Sequence, residues 1–219
     1  MTKTKIGILI CMTLSLNSAG VQAQKGVEHF NISLFCNTDS LKGANLSILT
    51  NAIKKDMQGV QISALNNFAT KGNGIQIGML SNASTSTFKG IQLAGISNVS
   101  MGMKRGIQLA GAANICSSSM RGIQTAVYNY ADTLNGSQIG LFNACISHPR
   151  GVQIGIINYS RDTVAHKIGL VNVNPKTRID LLSYIGTSTK LNMALRFRNR
   201  STYNIIGIGC LLYTSDAAD

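Results

Sequence analysis

The sequence predicts an all-β repeat fold, a β-solenoid-like stack of units about 15–16 residues long. Two observations carry this. First, a phrase of the form Gly, aliphatic, Gln, aliphatic, small, then Asn recurs along most of the chain. Its opening glycines are Gly43, Gly59, Gly74, Gly90, Gly106, Gly122, Gly136 and Gly151, spaced by 16, 15, 16, 16, 16, 14 and 15 residues. Second, each copy alternates with period two, as a strand does; a helix would scatter these residues around its axis. A long β-meander or a partial β-barrel stands as the alternative. One residue is lost between Gly and Asn from Gly122 onward. A solenoid corner absorbs that slip, whereas a ladder would flip faces unless a bulge intervened, so the solenoid is preferred.

The elements follow in order. Residues 1–23 read as a signal peptide: Lys3 and Lys5 form a basic start, Ile6 to Leu16 is mostly apolar, broken only by Thr13 and Ser15, and Val21-Gln22-Ala23 supplies small residues for cleavage. The apolar run is too short to span a bilayer. Residues 24–42 form a lead or cap, and residues 43–172 the repeat domain, with a worn ninth copy at Ile168-Gly169. In the copy at Gly74, Ile75 and Ile77 point one way and Gln76 and Gly78 the other. Stacked, the aliphatic pairs are expected to fill a thin core, each side chain contributing about 1.5–3 kcal/mol. Gln76, Gln92 and Gln108 then lie on the opposite side. Asn82, Asn98, Asn114, Asn143 and Asn158 are expected to form a hydrogen-bonded ladder at a turn, with the glycines at corners of positive φ.

From Lys176 the repeat stops. Residues 173–209 open a C-terminal β region. Leu191, Met193, Leu195 and Phe197 alternate with Asn192, Ala194, Arg196 and Arg198, then a turn and a returning strand make an amphipathic hairpin. It suits a terminal cover for the stack or the first hairpin of a membrane barrel. Residues 210–219, "CLLYTSDAAD", match the translation of a transposase sequencing adapter and are expected to be a non-native tail.

Composition narrows the function. Lys and Arg number 20 against 8 Asp and Glu, and taking away Lys3, Lys5, Asp216 and Asp219 leaves the net charge at +12. The balance favours anionic partners, an anionic glycan or lipopolysaccharide, and export with no basic–aromatic patch argues against nucleic acid. Most copies are preceded by a base: Lys42, Lys89, Arg105, Arg121 and Arg150, with Lys167 before the ninth. Stacked, these make a candidate polyanion-binding column; a solvated edge that blocks strand pairing is the plainer alternative. Cys36, Cys116 and Cys145 are expected to be free, since Cys116 and Cys145 lie two repeats apart, about 10 Å, beyond disulfide reach.

No catalytic set is visible and no cofactor or metal site is expected. His29, His148 and His166 are scattered, and the acids Glu28, Asp39, Asp56, Asp132, Asp162 and Asp180 are spread out. The many glycines are periodic rather than a phosphate loop.

The repeat, with "KTRIDLL" and "LNMALRFRNRSTYNIIGIG", resembles a group of uncharacterised surface-repeat proteins of Gram-negative envelopes. That resemblance covers nearly all of Gly43 to Gly209 and implies a β-rich, outer-membrane-like C-terminal part; it brings no activity or ligand. Asp39-Ser40, Asp132-Thr133 and Asp162-Thr163, each followed by an aliphatic residue, resemble an O-glycosylation acceptor of some Gram-negative bacteria, which implies sugar on Ser40, Thr133 and Thr163. The alternative is that these pairs favour turns. The expectation is a non-enzymatic exported surface or outer-membrane-associated repeat protein, structural or adhesive. The alternatives are the front of an outer-membrane barrel and a periplasmic address.

Overall fold

The computed structural model describes residues 24–147, 150–161, 166–186, 191–198 and 203–210. The expected signal peptide lies outside them, as does the expected tail apart from Cys210. The chain is a β-solenoid of about eight turns, and the described residues contain no helix. Strand β1 (Gln24–Ser63) covers the first coils. Then come β2 (Asn66–Gly78), β3 (Ser81–Ala94), β4 (Ser97–Ala110), β5 (Ala113–Thr125) and β6 (Tyr128–Ile139). Each pairs in parallel with the next. The register sets like on like: Gly74, Ile75 and Gln76 lie against Gly90, Ile91 and Gln92. After β6 the coil splits into short strands. On one side lie β7 (Phe142–Ser147), β9 (Ile157–Ser160) and β11 (Val171–Val173); on the other lie β8 (Val152–Ile154) and β10 (His166–Ile168).

The strand parity is the reverse of the expectation. The glutamines, not the aliphatic pairs, point inward: Gln76, Gln92 and Gln108 are fully buried, whereas Leu109, Ile123, Ile139 and Ile154 are about 40% exposed. The reason is the rung. Gln92 Nε2 donates to Gln76 Oε1 at 2.7 Å, and Gln108 Nε2 to Gln92 Oε1 at 2.8 Å. The series runs from Gln61 to Gln153. A single buried amide is costly, but a stacked one is satisfied above and below.

The asparagine ladder forms as expected and is longer, from Asn51 to Asn172. Asn82 Nδ2 donates to Asn98 Oδ1 at 2.9 Å and to the Leu93 carbonyl at 2.6 Å. That second bond fixes which way the amide faces. Asparagine donors therefore point toward the C-terminal end and glutamine donors toward the N-terminal end. The two columns of amide dipoles oppose one another. Their spare acceptors sit at opposite ends, Asn51 Oδ1 and Gln153 Oε1.

The apolar interior comes from the segment after Asn, which looks polar and variable in sequence. Met57, Phe88, Met103, Met120 and Leu134 are buried there, with Cys116, Ala131 and Cys145 facing them from the Asn strand. Phe88 lies over Gly72, where any Cβ would run into its ring.

The opening glycines hold the corner. Gly90 has φ +125°, and a Cβ on it would strike the Gly74 carbonyl oxygen. Gly106 and Gly151 show the same crowding without a positive φ. Cys36, Cys116 and Cys145 are buried free thiols.

At the C-terminal end β12 (Arg178–Tyr184), β13 (Leu191–Arg198) and β14 (Tyr203–Cys210) form an antiparallel sheet. It meets the last coil through Asn204 Nδ2, which donates to the Leu170 carbonyl at 2.6 Å. Cys210 pairs with Leu191 inside this sheet, so strand structure runs one residue into the segment expected to be a tail.

Candidate functional site

The amide ladders and the Met/Phe column occupy the interior, so the chemistry on offer lies on the outer surface. It has two parts: a basic edge and an apolar corner.

The basic edge stands where each coil turns into its glycine. Lys89 pairs with Arg105 in register, and Arg121 lies one rung on, because Gly106 pairs with Gly122. All three are exposed, as are Lys42 and Arg150. The column is not continuous. Gln58 and Asn73 occupy the position between Lys42 and Lys89, and Asn135 sits between Arg121 and Arg150. Like charges at about 4.8 Å repel by roughly 1 kcal/mol in water, so a run of three contiguous rungs is a modest cost that an anion would relieve. On the N-terminal side the neighbouring bases are already answered: Lys55 Nζ is 3.2 Å from Asp39 and Lys71 Nζ 3.7 Å from Asp56. Lys89, Lys104, Arg105 and Arg121 carry no ion pair among the described residues.

Lys167 does not belong to this edge. It is in register with Gln153, and Gly169 stacks on Gly155 rather than on the opening glycine Gly151. Its half-buried side chain takes the glutamine place and donates from Nζ to the Val173 carbonyl at 2.8 Å. Gln153 makes the equivalent bond to Tyr159. A cation thus follows the acceptor end of the glutamine column. The ninth copy lacks its opening glycine, and Lys167 sits at the Gln153 position, three residues past the place of Arg150.

The two described glycosylation candidates are not on turns. Ser40 lies within β1 and Thr133 within β6, in register with Ser119 and Ser147; both are half-buried. Thr163 and His148 fall outside the described residues. His29 Nδ1 sits 3.0 Å from the Lys42 carbonyl, and His166 starts β10. Among the described residues no three metal-ligating side chains cluster. At Asp180, Arg196 approaches to 2.8 Å and holds the carboxyl below its ordinary value.

Sequence reasoning missed the apolar corner. With the parity reversed, the aliphatic pairs form an outer face, and the residues after them round a bend that is also apolar. A shallow groove there is lined by Ile77, Met79, Leu93, Gly95, Leu109 and Thr125. Further along the bend Leu141, Ile156 and Leu170 stand 44–61% exposed. The signal was present: Gln never varies among the central copies, whereas Ile gives way to Val, Leu, Ser and Thr. The chain matches no family model, no curated protein and no solved structure.

Proposed function

We propose that the chain is a non-enzymatic, exported repeat module of a bacterial envelope, with a structural or adhesive role. One observation carries this reading. Repeat after repeat uses its polar side chains on its own interior, leaving a three-rung basic edge and apolar outer faces and no clustered acid–base set among the described residues. Such a body suits contact along its length rather than turnover. Protease treatment of intact cells tests exposure: cleavage within residues 43–172 is expected, and full protection rejects the adhesive role. Heparin or lipopolysaccharide binding tests the edge. Reversing Lys89, Arg105 and Arg121 to Glu is expected to lower binding at least tenfold, and unchanged binding removes the polyanion role.

A second reading, the front of an outer-membrane barrel, is favoured by β12–β14. Leu181, Leu195 and Ile206 share one exposed apolar face, while Asp180 and Arg196 share the other. That alternation matches lipid-facing strands. Retention in carbonate-washed membranes supports it, and release into the soluble fraction rejects it.

A further inference from the structure

We infer that the apolar corner of the solenoid docks on an anionic lipid bilayer, sinking into the headgroup–acyl boundary with the basic edge held above it. The inference deepens the envelope reading and rests on it for its biological setting, but its physical grounds are separate.

The first ground is the shape of the apolar surface. The outer face carries Ile77, Leu93, Ile139, Ile154 and Ile168, and the bend beyond it carries Leu80, Ile96, Leu141, Ile156 and Leu170. On the far side of the bend Tyr128 and Phe142 continue it, 40% and 44% exposed. At about 4.8 Å per rung, about eight turns make a ridge roughly 38 Å long. A flat partner, such as a second solenoid, covers one face and leaves the bend and the next face wet. Acyl chains follow a convex ridge.

The second ground is the backbone. Turns in soluble proteins leave amides to water, and in lipid each such amide is expensive. Here the bend is wired between coils. Ile96 N donates to the Leu80 carbonyl at 2.9 Å, Ala112 N to Ile96 at 2.9 Å and Val171 N to Ile156 at 2.8 Å. The Gln and Asn side chains that would resist burial are already paired inside.

The third ground is charge. From Ile75 to Ser81, Ile91 to Ser97, Ile107 to Ala113 and Ser137 to Phe142 the sequence holds no base and no acid. Lys89 and Gly95 lie six residues apart along the chain with the Gly90 corner between them, at most about 20 Å. Interfacial elements bury about 5–10 Å, and the headgroup layer adds roughly 6 Å. Lys89, Arg105 and Arg121 then stand within a Debye length of the lipid phosphates, about 8–10 Å. A net charge of +12 opposes pairing of two copies and favours an anionic surface.

The chain has no Trp, so single-Trp variants report depth directly. The purified chain carrying Ile156→Trp or Lys104→Trp is mixed with phosphatidylglycerol/phosphatidylethanolamine vesicles, with and without brominated acyl chains. Expected: co-flotation with these vesicles, a blue shift and quenching at position 156, and neither at 104. Leu141→Glu with Ile156→Glu is expected to lower vesicle binding at least tenfold, and Lys89→Glu with Arg105→Glu about threefold. Unchanged far-UV spectra and melting midpoints show that these variants fold. Vesicle binding that vanishes in high salt with position 156 unquenched overturns the inference, as surface adsorption only. A dimer in sedimentation, dissolved by the Glu pair and indifferent to vesicles, overturns it in favour of a second copy. Absence of both overturns it outright. Fractionation of producing cells separates the two readings: a cytosolic protein that still inserts in vesicles defeats the envelope reading alone, and an exported protein with position 156 unquenched defeats this one alone.

Discussion

The two halves of the solenoid interior are made of different materials. On the Gly-aliphatic-Gln side the filling is amide, with one Gln and one Asn per rung hydrogen-bonded to their copies at 2.7–3.0 Å. On the turn side it is Met57, Phe88, Met103, Met120 and Leu134, each different in shape from a neighbour. An amide ladder demands the same residue at the same place, because each member is donor to one copy and acceptor from another. An apolar column demands only that volumes sum correctly, as where Phe88 fills the space over Gly72. The difference explains why one half of each repeat is written almost unchanged and the other is rewritten freely.

Breaking the ladder should therefore cost more than reshaping the column. The largest effect is expected for Asn98→Leu. Asn98 donates to Leu109, Gln92 and Asn114 and accepts from Asn82. Its loss leaves several buried groups unpaired at about 1–3 kcal/mol each, roughly 3–6 kcal/mol together. Urea unfolding followed by circular dichroism measures it; a loss below about 1 kcal/mol would contradict the ladder. Gln108→Leu comes next. It strands Gln92 Oε1 and frees Gln124 Nε2 from its Gln partner, which keeps Tyr130. About 2–4 kcal/mol is expected from the same measurement. Met120→Leu keeps the volume of a fully buried column residue and is expected to cost under about 1.5 kcal/mol. If Met120→Leu equals Gln108→Leu, the distinction between the two materials fails.

The same contrast sets what the sequence discloses. The rung length, the strands, the glycine corners and the asparagine ladder are written in types and spacings that local physics fixes. Gly90, for instance, must lack a Cβ whichever face is buried. The parity is not written locally. Ile75-Gln76-Ile77 satisfies period two either way, and average hydrophobicity favours burying Ile. The opposite wins because Gln76 meets Gln61 and Gln92, and that partnership exists only after stacking. The basic edge was visible because Lys89, Arg105 and Arg121 precede glycines at a constant place. Lys167 is not on that edge because Gly169, two residues on, is the small residue of its copy, stacked on Gly155, and not an opening glycine. The apolar corner was hidden entirely, since its exposure follows from the parity.

The smallest expected effect sharpens the apolar half, where buried thiols replace methylene groups. Burial pushes the Cys145 and Cys36 thiols up to about 11 from an ordinary value near 9, and burial raises Cys116 as well. Below about pH 9 folded and unfolded chains both carry S–H, and the thiols favour neither. Between about 9 and 11 the unfolded chain ionises while the folded one must keep its protons, so stability falls as pH rises; above 11 the difference stops growing. Lysines and tyrosines titrate in the same window, including Tyr128, which burial also raises. The informative quantity is thus the difference between parent and Cys116→Ala/Cys145→Ala, the two thiols of the turn-side column. The variant is expected to start less stable and to lose less of its melting temperature between pH 8.5 and 11. An equal loss would mean that the thiols sit in water-like surroundings, and that the turn-side column is not the dry half of the interior.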